Sequence, residues 1–198
     1  MALSDSAIAQ LEAIRKIDPG NLEMLNLLGK YYAQTGKKQQ AKKILSEALQ
    51  RNARDPQSLI NLAGLYLDEQ KWDSAGTLFT NFMEDELIKA EVKMNIARFL
   101  YNRAKGDPQN IKLRIETERV LDVFTETETD YGPAFTLTGE FYAQTAQPEK
   151  ALKMLEKANQ LLPQDEIAWR QRLQLLLSQK SYAKAIDVGL KADEAVPD

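Results

Sequence analysis

The sequence of 198 residues contains no cysteine and no histidine. This absence excludes disulfide bonds, zinc sites built on thiolates, haem ligation through histidine, and every nucleophile that depends on a histidine base. The nine glycines form neither the GxGxxG nor the GxxxxGK[ST] motif that cradles phosphate groups. No pair of carboxylates stands out as a buried acid and base. We therefore expect no catalytic residue, no metal ligand and no cofactor.

The chain also lacks an excess of positive charge and any long apolar run. Its formal net charge is -3, and neither half is strongly basic, which disfavours nucleic acid as the main partner. No apolar run approaches the roughly 20 residues needed to cross a bilayer, and the N-terminal MALSDSAIAQ does not resemble a signal peptide. We expect no membrane insertion in this segment. The compartment stays open, with the cytoplasm favoured over the periplasm.

What the sequence does contain is one order of residue types that returns at an interval of 34 residues. The interval is clearest around Phe135–Pro163, FTLTGEFYAQTAQPEKALKMLEKANQLLP, which has the pattern of two amphipathic helices in a hairpin that ends at a proline. The segments YAQTGKKQQAKKIL and YAQTAQPEKALKML are close relatives within this one chain. Counting from the start of each unit, the repeats begin at Leu22, Pro56, Ala90, Gly132 and Glu166.

Five positions of the repeat are landmarks that hold similar residue types in several repeats. The fourth holds a large apolar side chain in four of five repeats, Leu25, Leu59, Phe135 and Trp169, and Lys93 in the third repeat. The eighth holds Gly29, Ala63, Ala97, Gly139 and Leu173, and the eleventh holds Tyr32, Tyr66, Leu100, Tyr142 and Leu176. The twentieth holds Ala41, Ala75, Thr117, Ala151 and Ala185, where the count in the third repeat leaves out eight additional residues. The helix-stop position, counted in the same way, holds Ala53, Leu87, Thr129, Pro163 and Pro197. Small residues allow two helices to approach closely, large ones fill the space between hairpins, and proline ends a helix.

This pattern resembles the tetratricopeptide repeat, W-x2-L-G-x2-Y followed by alanines and a proline, from about Ala7 to Pro197. The resemblance implies an all-α fold, a right-handed superhelical solenoid of antiparallel helix hairpins with about 11 helices. We predict a single array over residues 1–198. It is divided into a half repeat at 4–19 and full repeats at 22–55, 56–89, 90–131, 132–165 and 166–198.

Both ends of the predicted array, and its third unit, are irregular. The half repeat predicts either a segment of a longer array or an N-terminal cap. At the other end, Ile186 and Leu190 are expected to be exposed and could pair with another chain. The third unit carries eight additional residues around 102–110, close to one more turn on each of its helices. At least one helix there should be longer than its counterparts, as a projecting contact hairpin or as a tolerated insertion.

The resemblance also implies that the first helices of successive units line a concave groove. The candidate binding residues are Asn26, Leu27, Lys30, Ile60, Asn61, Met94, Asn95, Arg98, Tyr101, Glu140, Arg170 and Gln171. Amides at equivalent places, Asn61, Asn95 and Gln171, can each donate to and accept from a peptide backbone. The clamp with which some relatives hold the carboxylate tails of chaperones is disfavoured, because Glu91 stands where a basic residue is needed.

We therefore expect a protein–protein interaction scaffold without catalytic activity, which binds a peptide or a helix of a partner in its concave groove. Two alternatives remain. The first is a self-associating structural or assembly protein, and the second is a regulatory segment of a larger enzyme or of an envelope-anchored protein. The acidic run TETETD at Thr125–Asp130 could suggest a site for a hard cation, but its alternate spacing is more typical of a solvated helix face.

Overall fold

The computed structural model describes the backbone of residues 2–196 and the side chains of residues 6–196. These residues form eleven α-helices and no β-strand. The helices are α1 (Ala2–Ile17), α2 (Leu22–Gln34), α3 (Lys38–Arg51), α4 (Pro56–Asp68), α5 (Trp72–Glu84), α6 (Ala90–Gly106), α7 (Ile111–Thr127), α8 (Gly132–Gln144), α9 (Pro148–Leu161), α10 (Glu166–Ser178) and α11 (Tyr182–Ala195). The predicted helix stop at Pro197 lies outside the described residues.

The helices form two compact units. Unit 1 comprises the chain up to Ile88 together with Asn110–Glu116, and unit 2 comprises Lys89–Gln109 together with the chain from Thr117 onward. In unit 1, α1 to α5 each pack on the next helix along the chain, and α2 also packs on α4. In unit 2, α8 to α11 pack in the same consecutive way, while α8 also contacts α6 and α10. Stacked helix hairpins joined by short turns make this an all-α helical-repeat solenoid, which confirms the predicted fold class.

The repeated residue types lie where the physical argument requires them. All five residues at the fourth position are buried, and so are all five at the twentieth. Glycine at the eighth position brings two helices very close: an added Cβ at Gly29 would lie 2.7 Å from Leu45 Cγ, and one at Gly139 would lie 2.6 Å from Leu155 Cγ. The residue types that repeat every 34 residues are therefore those that make the contacts within and between the helix hairpins.

The third repeat, residues 90–131, departs from the other repeats in two ways. Helices α6 and α7 each have 17 residues, whereas α2, α4, α8 and α10 each have 13. The eight additional residues therefore lengthen both helices, which confirms the prediction of at least one longer helix. Lys93 occupies the landmark place of a large apolar residue and is only 1% exposed, and its Nζ pairs with the carboxylate of Glu128 just beyond the end of α7. A buried charge of this kind needs such a partner.

None of the described helices is both long and apolar enough to cross a membrane.

Candidate partner-binding site

A concave pocket of about 330 Å³ lies in unit 2 among the first helices of three successive hairpins, α6, α8 and α10. We call it the first-helix pocket. Its lining residues are Met94, Arg98, Tyr101, Asn102, Pro133, Thr136, Leu137, Glu140, Asp165 and Ile167. The volume is at the lower end of the range for sites that hold a small molecule or an anchoring side chain.

The floor of the pocket is apolar. Met94 and Tyr101 on α6 and Leu137 on α8 are buried, so that they present only part of their side chains to the opening. Ile167, in the first turn of α10, is 43% exposed. A large aliphatic side chain that is this exposed gains free energy when a partner covers it. The floor is therefore suited to an apolar anchor residue.

The walls carry polar groups of both charge signs. Arg98 and Asn102 are exposed on α6, and Glu140 is half-buried on α8. The Glu140 carboxylate accepts a hydrogen bond from Gln171 Nε2 at 2.5 Å. Burial, reinforced by the charge of Glu140, raises the pKa of the Tyr101 hydroxyl, which therefore stays protonated at neutral pH. These groups can supply both donors and acceptors to the backbone of a bound segment.

Asp165 joins the pocket wall because it also caps a helix. Its Oδ1 accepts from the backbone N–H groups of Ile167 and Ala168, and its Oδ2 accepts from Thr136 Oγ1 at 2.5 Å. Unit 1 has the same link between neighbouring repeats, where Asn26 Nδ2 donates to Oδ2 of the N-cap Asp55 at 2.9 Å. In these two places the side chain at the fifth position of a repeat thus binds the N-cap aspartate of the next repeat. This bond fixes the spacing of the first helices that form the pocket.

The structure brings together four of the twelve predicted binding residues. Met94, Arg98, Tyr101 and Glu140 all line the first-helix pocket. In the same unit, Gln171 reaches the pocket only through its bond to Glu140, while Asn95 and Arg170 are exposed outside the lining. Of the five predicted residues in unit 1, Leu27 and Lys30 are exposed, Ile60 and Asn61 are half-buried and Asn26 is buried. Their role in binding stays a prediction.

The predicted amides of unit 1 form hydrogen bonds with their own neighbours. Gln57 Nε2 donates to Asn61 Oδ1 at 3.0 Å, and Asn61 Nδ2 donates to Asn26 Oδ1 at 3.2 Å. Together with the bond from Asn26 to Asp55, this makes a continuous chain of hydrogen bonds from α4 to α2 and back. These amides therefore already link repeat to repeat, and a bound peptide would have to compete with those bonds or use the remaining donors.

Six of the ten lining residues are not among the twelve predicted ones: Asn102, Pro133, Thr136, Leu137, Asp165 and Ile167. Two of these six, Pro133 and Asp165, depend on where a helix begins. Both lie at the N-terminal end of a first helix: Pro133 in the first turn of α8, and Asp165 as the N-cap of α10. The signal that could have identified Asp165 is its place directly before an apolar helical segment, which is typical of an N-cap. Within the described residues, no group of three or more acidic side chains is placed to hold a metal ion.

Comparison with known families supports the repeat assignment in two segments, one near each end of the chain. One family model described as tetratricopeptide repeat matches residues 4–58, and a second with the same description matches residues 142–198. Together these matches cover more than half of the chain. The chain belongs to the tetratricopeptide-repeat family. No curated protein sequence matches it.

Solved structures of tetratricopeptide-repeat proteins share its fold. MamA 41-end from Desulfovibrio magneticus RS-1 is 16% identical, with 88% of this chain and 94% of that chain covered at a TM-score of 0.50. YrrB, described as a TPR protein with an unusual peptide-binding site, is 12% identical, with 95% and 93% covered at a TM-score of 0.51. Tetratricopeptide-repeat proteins are generally scaffolds for protein–protein interaction without catalytic activity, and the fold of this chain is of that kind.

Proposed function

We propose that this tetratricopeptide-repeat chain is a non-catalytic scaffold that binds a peptide segment of a partner protein in the first-helix pocket. The observation that carries the proposal is the combination of an apolar floor with an exposed Ile167 and polar walls on three helices. A partner would place one apolar side chain against Met94, Leu137 and Ile167. Burial of such an anchor in a preformed pocket supplies most of the binding free energy at small interfaces.

The walls would orient the segment. Arg98 and Asn102 on α6 can donate to backbone carbonyl groups, and Glu140 on α8 can accept from an N–H group. YrrB has a comparable fold and is described as having a peptide-binding site, which supports peptide binding as a use of such a surface. A rigid pocket formed by helices also avoids much of the entropic cost of ordering a binding loop.

Ile167→Arg is expected to weaken binding of a peptide at least tenfold, because the guanidinium would cover the apolar floor and would itself have to be desolvated. The peptide is selected from a phage-displayed library of twelve-residue sequences, and its affinity is measured by calorimetry. Leu177→Arg is the matched control, since Leu177 is a 52% exposed leucine on the same helix α10 and is not part of the pocket lining.

The control variant should bind the peptide with the affinity of the unmodified chain, and both variants should keep the same helical circular dichroism. Equal affinity of the unmodified chain, Ile167→Arg and Leu177→Arg for every selected peptide would show that binding takes place elsewhere, and the proposal for this pocket would fail.

Self-association is a second candidate function, which one observation favours. Tyr182, Ile186 and Leu190 follow one another at helical spacing on α11, and each is about three-fifths exposed. A second copy of the chain could cover this apolar stripe with its own. Ile186→Asp should then shift the monomer–dimer equilibrium toward monomer by at least tenfold in sedimentation equilibrium. This candidate is rejected if the unmodified chain sediments as a monomer at all concentrations up to about 100 µM, since a stable dimer would form below that concentration.

A further inference from the structure

A second concavity lies in unit 2 on the side of the second helices, between α7 and α9. It has a volume of about 570 Å³, and we call it the second-helix cleft. Its lining residues are Asp122, Thr125, Glu126, Thr129, Phe135, Lys153, Met154, Glu156, Lys157 and Gln160. It shares no lining residue with the first-helix pocket.

The floor of the second-helix cleft is apolar and rigid. Phe135 is buried, and it packs with Leu155, Ala158 and Ala168 in one core cluster. The half-buried Met154 packs against the same cluster. A flexible thioether beside a fixed aromatic ring adapts to apolar side chains of different shapes, which suits a docking surface.

The two walls carry opposite charges. On α7, Glu126 is exposed, and the half-buried carboxylate of Asp122 accepts a hydrogen bond from the Tyr142 hydroxyl. On α9, Lys153 and Lys157 lie one turn apart, while the only acid of that wall, Glu156, is paired with Arg172 at 3.2 Å. The α7 wall is therefore acidic and the α9 wall is basic.

At one end of the cleft the walls neutralise each other. Lys150 Nζ lies 2.7 Å from Glu118 Oε1, and Gln147 Nε2 donates to Glu118 Oε2 at 3.1 Å, so that α7 and α9 are bridged there. One to two turns further along, the described residues of α7 and α9 form no such bridge. Among the residues that the structure describes, Glu126, Lys153 and Lys157 have no ion-pair partner. The walls are open where their opposite charges remain unpaired.

We propose that the second-helix cleft docks a short amphipathic helix of a partner protein, with an apolar stripe flanked by basic residues on one side and acidic residues on the other. The apolar stripe would cover Phe135 and Met154, the basic flank would face Glu126, and the acidic flank would face Lys153 and Lys157. The α9 wall from Lys153 to Gln160 rises by about 10 Å, so that the cleft accommodates about two helical turns. The charges of the walls select the partner more than they add affinity.

Three helical peptides of twelve residues, each constrained by a hydrocarbon staple, test the proposal. All carry the same leucine stripe; one has lysines on one flank and glutamates on the other, one has lysines on both flanks and one has glutamates on both flanks. Binding is followed by the methyl signal of Met154 in protein labelled with ¹³C at the methionine methyl groups. The mixed peptide should shift this signal and bind about tenfold more tightly than either single-sign peptide, with a preference that falls as salt is added.

Charge reversal in the cleft should change the preferred peptide. Lys153→Glu together with Lys157→Glu makes both walls acidic and should favour the peptide with lysines on both flanks. Glu126→Lys sets a cation beside the Asp122 carboxylate, so that the α7 wall loses its net negative charge, and should remove the preference for the mixed peptide over the one with glutamates on both flanks. Lys43→Glu, the same change at an exposed residue of α3 in unit 1, should leave the preference for the mixed peptide unchanged.

The other outcomes overturn the proposal. The cleft does not dock such helices if none of the three peptides shifts the methyl signal of Met154, or if all three peptides bind with the same affinity. A shift of Met154 with protein concentration alone would mean that a second copy of the chain covers the cleft. A shift of Met94 without a shift of Met154 would place the peptide in the first-helix pocket, which would support peptide binding there while rejecting this site.

Discussion

Replacing Glu128 with glutamine is expected to lower the free energy of unfolding of unit 2 by about 3 kcal/mol. The reason is the position of Lys93, whose side chain is 1% exposed and whose charge is balanced by the Glu128 carboxylate. Without that negative charge, the ammonium group remains buried and uncompensated, or the repeat must open to hydrate it. The loss is placed at the lower end of the usual range because the Glu128 side chain is 24% exposed and water can partly replace it.

Lys93→Met should behave in the opposite way. It removes the buried charge, keeps a long unbranched side chain at a place where the repeat pattern has apolar residues, and leaves Glu128 able to turn to water. The change should be neutral or stabilise unit 2 by about 1 kcal/mol, and in the double variant it should restore what Glu128→Gln loses. Unfolding by urea, followed by the fluorescence of Trp169 in a Trp72→Phe background, reports on unit 2 alone.

Glu126→Gln serves as the control, because Glu126 is an exposed carboxylate in the last turn of α7, two residues before Glu128. This change should alter the free energy of unfolding by less than about 0.5 kcal/mol. The explanation of the pair is rejected if Glu128→Gln is as stable as the unmodified chain, or if Lys93→Met destabilises as strongly as Glu128→Gln does.

Gly139→Ala is expected to destabilise the α8–α9 hairpin by about 2 kcal/mol. A Cβ at this position would lie 2.6 Å from Leu155 Cγ and 2.7 Å from Leu155 Cδ2. Leu155 is fully buried in the core cluster with Phe135 and Ala158, so that a shift of its side chain would disturb these neighbours. The strain of overpacking therefore exceeds the gain that alanine normally brings to a helix.

Gly189 offers a matched comparison within the same unit. It lies inside α11, and a Cβ there would meet its nearest neighbour, Leu173 Cδ2, at an ordinary contact distance of 3.8 Å. Gly189→Ala should consequently stabilise the protein by about 0.5 to 1 kcal/mol, since it removes conformational freedom from the unfolded chain. The two substitutions are thus predicted to have opposite signs in the same urea titration. A stabilising Gly139→Ala would show that the two helices are not in close contact.

Much of the fold follows from the sequence because a solenoid repeats its contacts. A small residue recurs at the eighth position in four of the five repeats, all but the one with Leu173, and a large one recurs at the fourth, so the pattern indicates the same packing several times over. Lys93 shows the limit of this argument. A lysine at the fourth position of the third repeat marked that repeat as irregular. Its partner Glu128 lies 35 residues away, beyond the insertion, and no local pattern connects the two residues.

The site was harder to predict, since helical periodicity assigns a residue to a face without naming what it touches. Met94, Arg98, Tyr101 and Glu140 were predicted to lie on the groove face, and they line the first-helix pocket, while their role in binding stays a prediction. Asn26 lies on the equivalent face of α2, yet its amide is bonded to the N-cap Asp55 of the next repeat. Such bonds between repeats depend on the exact stagger of two hairpins, which the sequence pattern does not contain.

Peptide binding in the first-helix pocket is tested most directly by the methyl signal of Met94. This methionine lines the pocket, whereas Met24 and Met83 are buried in unit 1 and serve as internal references. In protein labelled with ¹³C at the methionine methyl groups, a saturating amount of the selected peptide should shift Met94 and leave Met24 and Met83 unchanged. If the peptide binds in calorimetry while Met94 stays at its original position, the peptide does not bind in the first-helix pocket.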